Sequence, residues 1–178
     1  MLSKNNLIFK VLHIVVWIIF VGLSIEACAL LVNFIVSIYK PEFIQNLYQK
    51  MDLTDLYNYN KWSFYKVYSL ILCISFLKAV LFYIVVILMY KLDLTKPFNT
   101  YVSNTITKIS YFTFSIGIIS YLANDTFQKI QNKGYSTTKL DVFYNDGQAY
   151  IFMAAVIYII AIIFKKGIEL QTENDLTI

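Results

Sequence analysis

Four apolar runs separated by short polar connections decide what this chain can become. Crossing roughly 30 Å of hydrocarbon takes about 20 consecutive apolar residues, each adding about 1.5 Å of helix. Residues 11–39, 67–90 and 105–127 are long enough, and 147–164 is shorter but carries no charge. Inside hydrocarbon every backbone N–H and C=O needs an internal partner, so such runs must be helices. The sequence predicts an all-α integral membrane protein, a four-helix transmembrane bundle forming one domain over residues 1–178, with a cytoplasmic tail at 165–178.

Composition points the same way. The chain is 58% hydrophobic and 15% charged, whereas soluble domains carry about 25% charged residues. A secreted disulfide scaffold, a disordered tail and a soluble enzyme fold are excluded. All 15 basic residues are lysine, against 11 acidic ones, for a net charge of +4. Nucleic-acid and phosphate sites favour the planar fork of arginine, and here no basic stripe tracks a phosphate backbone. No direct nucleic-acid partner is expected, although a low-GC genome accounts for most of the arginine deficit. Cys28 and Cys73 lie within apolar runs and read as small hydrophobes.

The first run resembles a secretory signal only at its basic start, Lys4 and Lys10; its apolar stretch is about twice the usual length. Ile25-Glu26-Ala27-Cys28 has the outline of a lipoprotein cleavage box, but Glu26 is wrong for one. An uncleaved anchor is expected, stopped by Pro41, which cannot continue a helical hydrogen-bond ladder. Four spans put both termini on one side. Seven lysines fall on each side, so orientation rests on density and on Lys165-Lys166 directly after the fourth span. Both criteria place the termini in the cytoplasm.

In the connection 40–66, Phe43, Ile44, Leu47, Tyr48 and Met51 recur at helical spacing and predict a short outer amphipathic helix. Tyr57, Tyr59, Trp62, Phe64, Tyr65 and Tyr68 then gather at the membrane edge, where aromatics form an interfacial belt more often than a ligand cage. The last connection carries the turn signals Lys133-Gly134 and Asn145-Asp146-Gly147, with a stretch at 135–144 that could be extended.

Two charges sit deep in the spans. Glu26 and Lys78 lie roughly 22 and 18 Å from the cytoplasmic ends of antiparallel neighbours, at about 1.5 Å per residue. A lone charge at that depth costs at least about 2.5–3.5 kcal/mol, so a salt bridge is the expected arrangement. It serves either to fix helix register or to couple ion movement, the former preferred because little other polar lining is present. His13 is the single histidine, so no histidine cluster can hold zinc or haem, and no phosphate loop or nucleophile elbow occurs. Asp141 and Asp146 are loop acids. No catalytic residue, metal or cofactor is expected. Gly22, Ser24, Ala27 and Cys28 on the first run and Ser115, Gly117 and Ser120 on the third mark close-packing faces.

Two stretches are more specific. Lys96-Pro97-Phe98-Asn99 precedes the third span, followed by Val102, Ile106 and Ile109 at helical spacing. The chain then ends Gly167-Ile168-Glu169-Leu170-Gln171-Thr172-Glu173-Asn174-Asp175-Leu176-Thr177-Ile178. Together they resemble the bacterial domain of unknown function 2975 family of four-span inner-membrane proteins. The resemblance implies a bacterial inner-membrane location and a cytoplasmic partner, since members are often encoded beside a small helix-turn-helix regulator. On that basis Pro97, Phe98, Gly167, Leu170, Gln171, Asn174, Asp175 and Ile178 are the expected partner contacts, with the tail either docking on a partner or folding back on the Pro97–Phe98 loop. A regulatory or sensory membrane partner is the leading expectation. A structural accessory subunit of a larger membrane complex and a small ion- or proton-coupled transporter are the alternatives. The oligomeric state is left open.

Overall fold

The structure, a computed structural model, describes residues 2–93, 98–134 and 140–175. Helix α1 (Leu2–Tyr39) stops where proline requires it to. Lys40 leaves the helical region, at φ −134° and ψ 87°, and Pro41 opens a 3-10 turn, Pro41–Asn46. A second 3-10 turn (Tyr48–Lys50), a short helix α2 (Thr54–Tyr59) and the long α3 (Lys61–Lys91) follow. After the inner connection come α4 (Thr100–Gln131), the single turn α5 (Asp141–Tyr144) and α6 (Gly147–Asp175). Asparagines begin the two central helices. Asn60 Oδ1 accepts from Trp62 N at 2.9 Å to start α3, and Asn99 Oδ1 from Val102 N at 2.9 Å to start α4. Gly134, at φ +90°, ends the turn after α4.

Among the described residues no strand forms, and α1, α3, α4 and α6 are each long and apolar enough to cross a membrane. Their backbones come together in the series α1–α3–α4–α6, the last pair most extensively. The two central helices therefore carry most of the buried surface. The two flanking helices turn large apolar side chains outward, Ile18 being 67% and Phe152 74% exposed. In a soluble protein such faces would demand cover; here the lipid supplies it.

The α4–α6 contact is a seam of small residues repeating every seven positions. Ser103, Ser110 and Gly117 on α4 run antiparallel to Ala161, Ala154 and Gly147 on α6. Ser110 Oγ donates to the Ala154 carbonyl at 2.9 Å, and Ser103 Oγ to that of Ala161 at 3.5 Å. At the third step the backbones meet. A Cβ on Gly117 would lie 2.6 Å from Ile151 Cγ1 and 3.1 Å from the Gly147 carbonyl oxygen. Lipid tails are as apolar as leucine, so such helices associate through packing and interhelical hydrogen bonds, which small side chains permit. Two further buried hydroxyls on this helix, Thr105 and Thr113, donate within it to the Tyr101 and Ile109 carbonyls at 2.7 and 2.8 Å, so neither costs anything in unmet hydrogen bonds.

The connection after α1 folds over the end of the bundle as a cap. Ile44, Leu47, Met51, Leu53 and Leu56 are all buried, packed with Phe64, Val67 and Tyr68 of α3. A short helix is present there, but it is α2 rather than the predicted Phe43–Met51 segment. That segment breaks because Gln49 and Lys50 take left-handed φ values of 58° and 56°, and Leu47 N pairs back to the Met51 carbonyl at 3.0 Å. The predicted aromatic belt also divides. Trp62 (83% exposed) and Tyr59 (51%) stand at the surface, whereas Phe64 and Tyr68 are fully buried. Tyr68 stacks on Phe34 with centroids 5.2 Å apart and donates its hydroxyl to the Leu30 carbonyl at 3.2 Å. Helical period explains the division, since Phe64, Tyr68, Ile71 and Ser75 share one face of α3. The stretch 135–139 lies outside the described residues, and Asp141–Tyr144 is helical rather than extended.

The seam predicts an asymmetry between glycines. Gly117→Leu should destabilise the protein in detergent by about 1–3 kcal/mol through overpacking. Gly22→Leu should be close to neutral, because nothing lies within 4 Å of a Cβ built there. Thermal unfolding of both variants checks this.

Candidate functional site

The chemistry-bearing residues fall into two groups, one inside the bundle and one at the end carrying the termini. The first centres on Glu26 and Lys78. The direct salt bridge expected between them is absent. Glu26 Oε1 instead accepts from Ser75 Oγ at 3.3 Å, while Lys78 Nζ lies 5.6 Å from the centre of the Tyr150 ring on α6. Their depths do agree, since Ser75 and Lys78 are one helical turn apart on α3. The side chains diverge because α3 is a central helix with a neighbour on either side. Ser75 faces α1 and takes up the carboxylate, and the longer lysine crosses toward α6. The carboxylates whose field reaches Lys78 are those of Glu26 and Asp146. Both Glu26 and Lys78 are half-buried. A cation over an aromatic face keeps part of the stabilisation lost on leaving water, about 2 kcal/mol or more where the pair is desolvated.

The second group is where the specific sequence stretches meet. Phe98, just before the Asn99 cap of α4, lays its ring against α6, with the Phe164 centroid 5.2 Å away. A Cβ on Gly167 would sit 2.8 Å from the Phe98 ring. Glycine at 167 is therefore a seat for Phe98, six residues past the end of the small-residue seam at Ala161. Lys91 at the end of α3 lies 4.8 Å over the Tyr101 ring of α4, which ties the second helix pair to the same platform. His13 of α1 meets Tyr90 of α3 edge-on at 6.2 Å nearby.

Beyond Phe164 the chain does not become a loose tail. Helix α6 runs through Gly167 to Asp175. Glycine inside a helix costs about 1 kcal/mol relative to alanine, and here neighbouring contacts offset it. Lys166 Nζ pairs with Glu169 Oε2 at 2.6 Å one turn on, and Thr172 Oγ1 donates to the Ile168 carbonyl at 2.9 Å. Leu170 (61% exposed) and Gln171 stand out from this projecting helix, and Asn174 and Asp175 close it. Pro97 and the terminal Leu176-Thr177-Ile178 lie outside the described residues.

Sequence reading found Glu26, Lys78, Phe98 and Gly167 but missed Ser75, Tyr150 and Phe164. The heptad spacing of Gly147, Ala154 and Ala161 was the available signal. It fixes which face of α6 meets α4, and so puts Tyr150 and Phe164 within reach of the polar and platform groups. Of the small residues marked on the first run, Ala27 is buried and Ser24 half-buried, whereas Gly22 is open to the outside and Cys28 is exposed, so that face is used only in part within the chain.

A row of four membrane-length helices with polar groups inside and a helical arm at one end defines a multi-pass α-helical membrane protein. Residues 46–178 match the family model described as Protein of unknown function (DUF2975), and the chain belongs to that family. The match takes in the cap from Asn46 onward, α3 to α6 and both groups of site residues except Glu26 and His13. No curated protein and no solved structure matches the chain.

The diverging side chains give a measurable coupling. In a double-mutant cycle of Glu26→Gln and Lys78→Met, the interaction energy should be below about 1 kcal/mol. Breaking one partner of a direct buried pair costs about 3–5 kcal/mol, so a coupling of that size would mean the two side chains meet in the membrane.

Proposed function

We propose that this protein is a non-enzymatic regulatory or sensory partner, held in the bacterial inner membrane with both termini cytoplasmic. It binds a cytoplasmic protein, such as a small helix-turn-helix regulator, at the end where the termini lie. The observation that carries this proposal is the stiff extension of α6 past Phe164, braced at its base by Phe98 in the Gly167 seat. A flexible tail would lose conformational freedom on meeting a partner, whereas a preformed helix loses little. Its exposed Leu170 and Gln171, beside the paired Lys166 and Glu169, offer an apolar anchor within a polar rim. Phe98 links this arm to α4, so a tilt of α4 against α6 within the bilayer reaches the partner surface as a shift of the arm. That linkage is the physical basis for a sensory role.

A second reading is favoured by one specific observation, the separation of Glu26 from Lys78. Two ionisable groups that make no direct ion pair, placed beside Ser75 and Tyr150, could pass a proton or cation. Under that reading Glu26→Gln abolishes an ion- or pH-dependent flux in proteoliposomes.

The regulatory proposal predicts that Leu170→Glu and deletion of residues 167–178 each remove a co-purifying helix-turn-helix protein from the full-length complex. Affinity should fall by at least about tenfold for Leu170→Glu, in line with loss of a central apolar anchor. Gly167→Leu, which displaces Phe98, should weaken capture without affecting membrane insertion. Unchanged capture by all three variants would remove the arm from the proposal.

A further inference from the structure

Between α1 and α3 the structure leaves an open groove with two differently built halves. The half nearer the cap, about 490 Å³, is lined by Phe34, Trp62, Tyr65 and the polar Ser63, Lys66 and Ser69. The other half, about 560 Å³, is lined almost entirely by apolar atoms, with Leu31 and Phe20 on one wall and Leu72, Phe76 and Tyr83 on the other. The halves follow one another along both helices. Phe34 and Leu31 are one turn apart on α1, as are Ser69 and Leu72 on α3. From Leu72 to Tyr83 the apolar half runs about 16 Å at 1.5 Å per residue, a length that an acyl chain can fill.

The polar half lies at the membrane edge, marked by the exposed Trp62. Lys66 is exposed there and makes no ion pair among the described residues, and no acidic side chain lines either half. The Ser63 hydroxyl and the Trp62 indole N–H stand beside it as neutral donors. Ser69 is already committed, donating to the Lys66 carbonyl at 2.9 Å, which leaves its oxygen lone pairs facing out.

We propose that this groove is a binding site for one anionic phospholipid of the leaflet at the cap end. An acyl chain lies in the apolar half and the phosphate-bearing headgroup lies against Lys66, Ser63 and Trp62. Charge selects the occupant. A partner helix or a second copy of the chain would fill the apolar half equally well, but neither by its nature brings an anion to the Lys66 ammonium at the membrane edge. A lipid headgroup supplies that charge at the depth where the lysine stands, and the lipid is already present as solvent. The bound lipid would hold α1 against α3, a pair that lacks the close small-residue seam of α4 and α6.

The test is native mass spectrometry of the purified full chain, with phosphatidylglycerol or phosphatidylcholine of matched acyl chains. One phosphatidylglycerol should be retained about fivefold more than phosphatidylcholine, the preference expected from one lysine near a lipid phosphate. Lys66→Gln should bring the preference close to unity. Lys129→Gln should not, because Lys129 is paired with Asp125 at 2.6 Å and lies away from the groove. Val80→Trp, which fills the apolar half, should lower retention of both lipids. Equal retention of the two lipids by the unmodified chain would overturn the proposal, as would a preference that survives Lys66→Gln. So would a stable dimer that Val80→Trp dissociates, since a second copy would then be the occupant. The Lys66→Gln comparison stands even if Val80→Trp fails to fold.

Discussion

Helices inside a bilayer gain nothing from expelling water when they meet, so contact must come from how closely two backbones can approach. In this protein that constraint is met in one place above all, the seam where Ser103, Ser110 and Gly117 face Ala161, Ala154 and Gly147. The seam sets the register of α6 against α4. Register in turn sets which α6 side chains point into the bundle, and how far the arm beyond Phe164 is carried past the membrane. Tyr150, one turn into α6 from Gly147, comes beneath Lys78 for this reason. Phe98 finds Gly167, and not a bulkier neighbour, for the same reason.

The opposite end of the row is built on other terms. The α1–α3 contact has no repeated small-residue crossing. It relies on aromatic packing near the cap, where Phe34 stacks on Tyr68, and on two polar links, from the Tyr68 hydroxyl to the Leu30 carbonyl and from Ser75 to Glu26. Large apolar side chains on α1 face outward, and a groove remains between the two helices. One half of the molecule is thus rigid by packing, while the other half is open to lipid. Such a division suits a protein whose tightly packed helix pair carries an arm and whose looser pair meets the bilayer.

Much of this was legible in the sequence, because the bilayer imposes length and polarity on every span. Span number, the stop at Pro41 and the turn before Gly147 followed from residue chemistry alone. What escaped was decided by contacts between distant residues. Glu26 and Lys78 were correctly read as lying at similar depths, but depth does not say which neighbour a side chain turns toward. A central helix with partners on two sides divides its polar groups between them. The aromatic cluster failed for a related reason: proximity to the membrane edge suggested a belt, while the 3.6-residue period had already assigned Phe64 and Tyr68 to the core. The cap was misread at Gln49 and Lys50, two non-glycine residues in the left-handed region. Nothing in their local sequence signals that conformation, which is held by the burial of Leu47 and Met51 on either side.

The register of α6 on α4 is the claim on which the rest stands, and paired cysteines in membranes test it most directly. With Cys28 and Cys73 replaced by serine, Ser110→Cys combined with Ala154→Cys should form an intramolecular disulfide rapidly under mild oxidation. Ser110→Cys combined with Ala161→Cys, one heptad out of step, should not. Efficient cross-linking of the second pair, or failure of the first, would contradict the seam. The positions of Tyr150 beneath Lys78 and of Gly167 beneath Phe98 would then lose their basis.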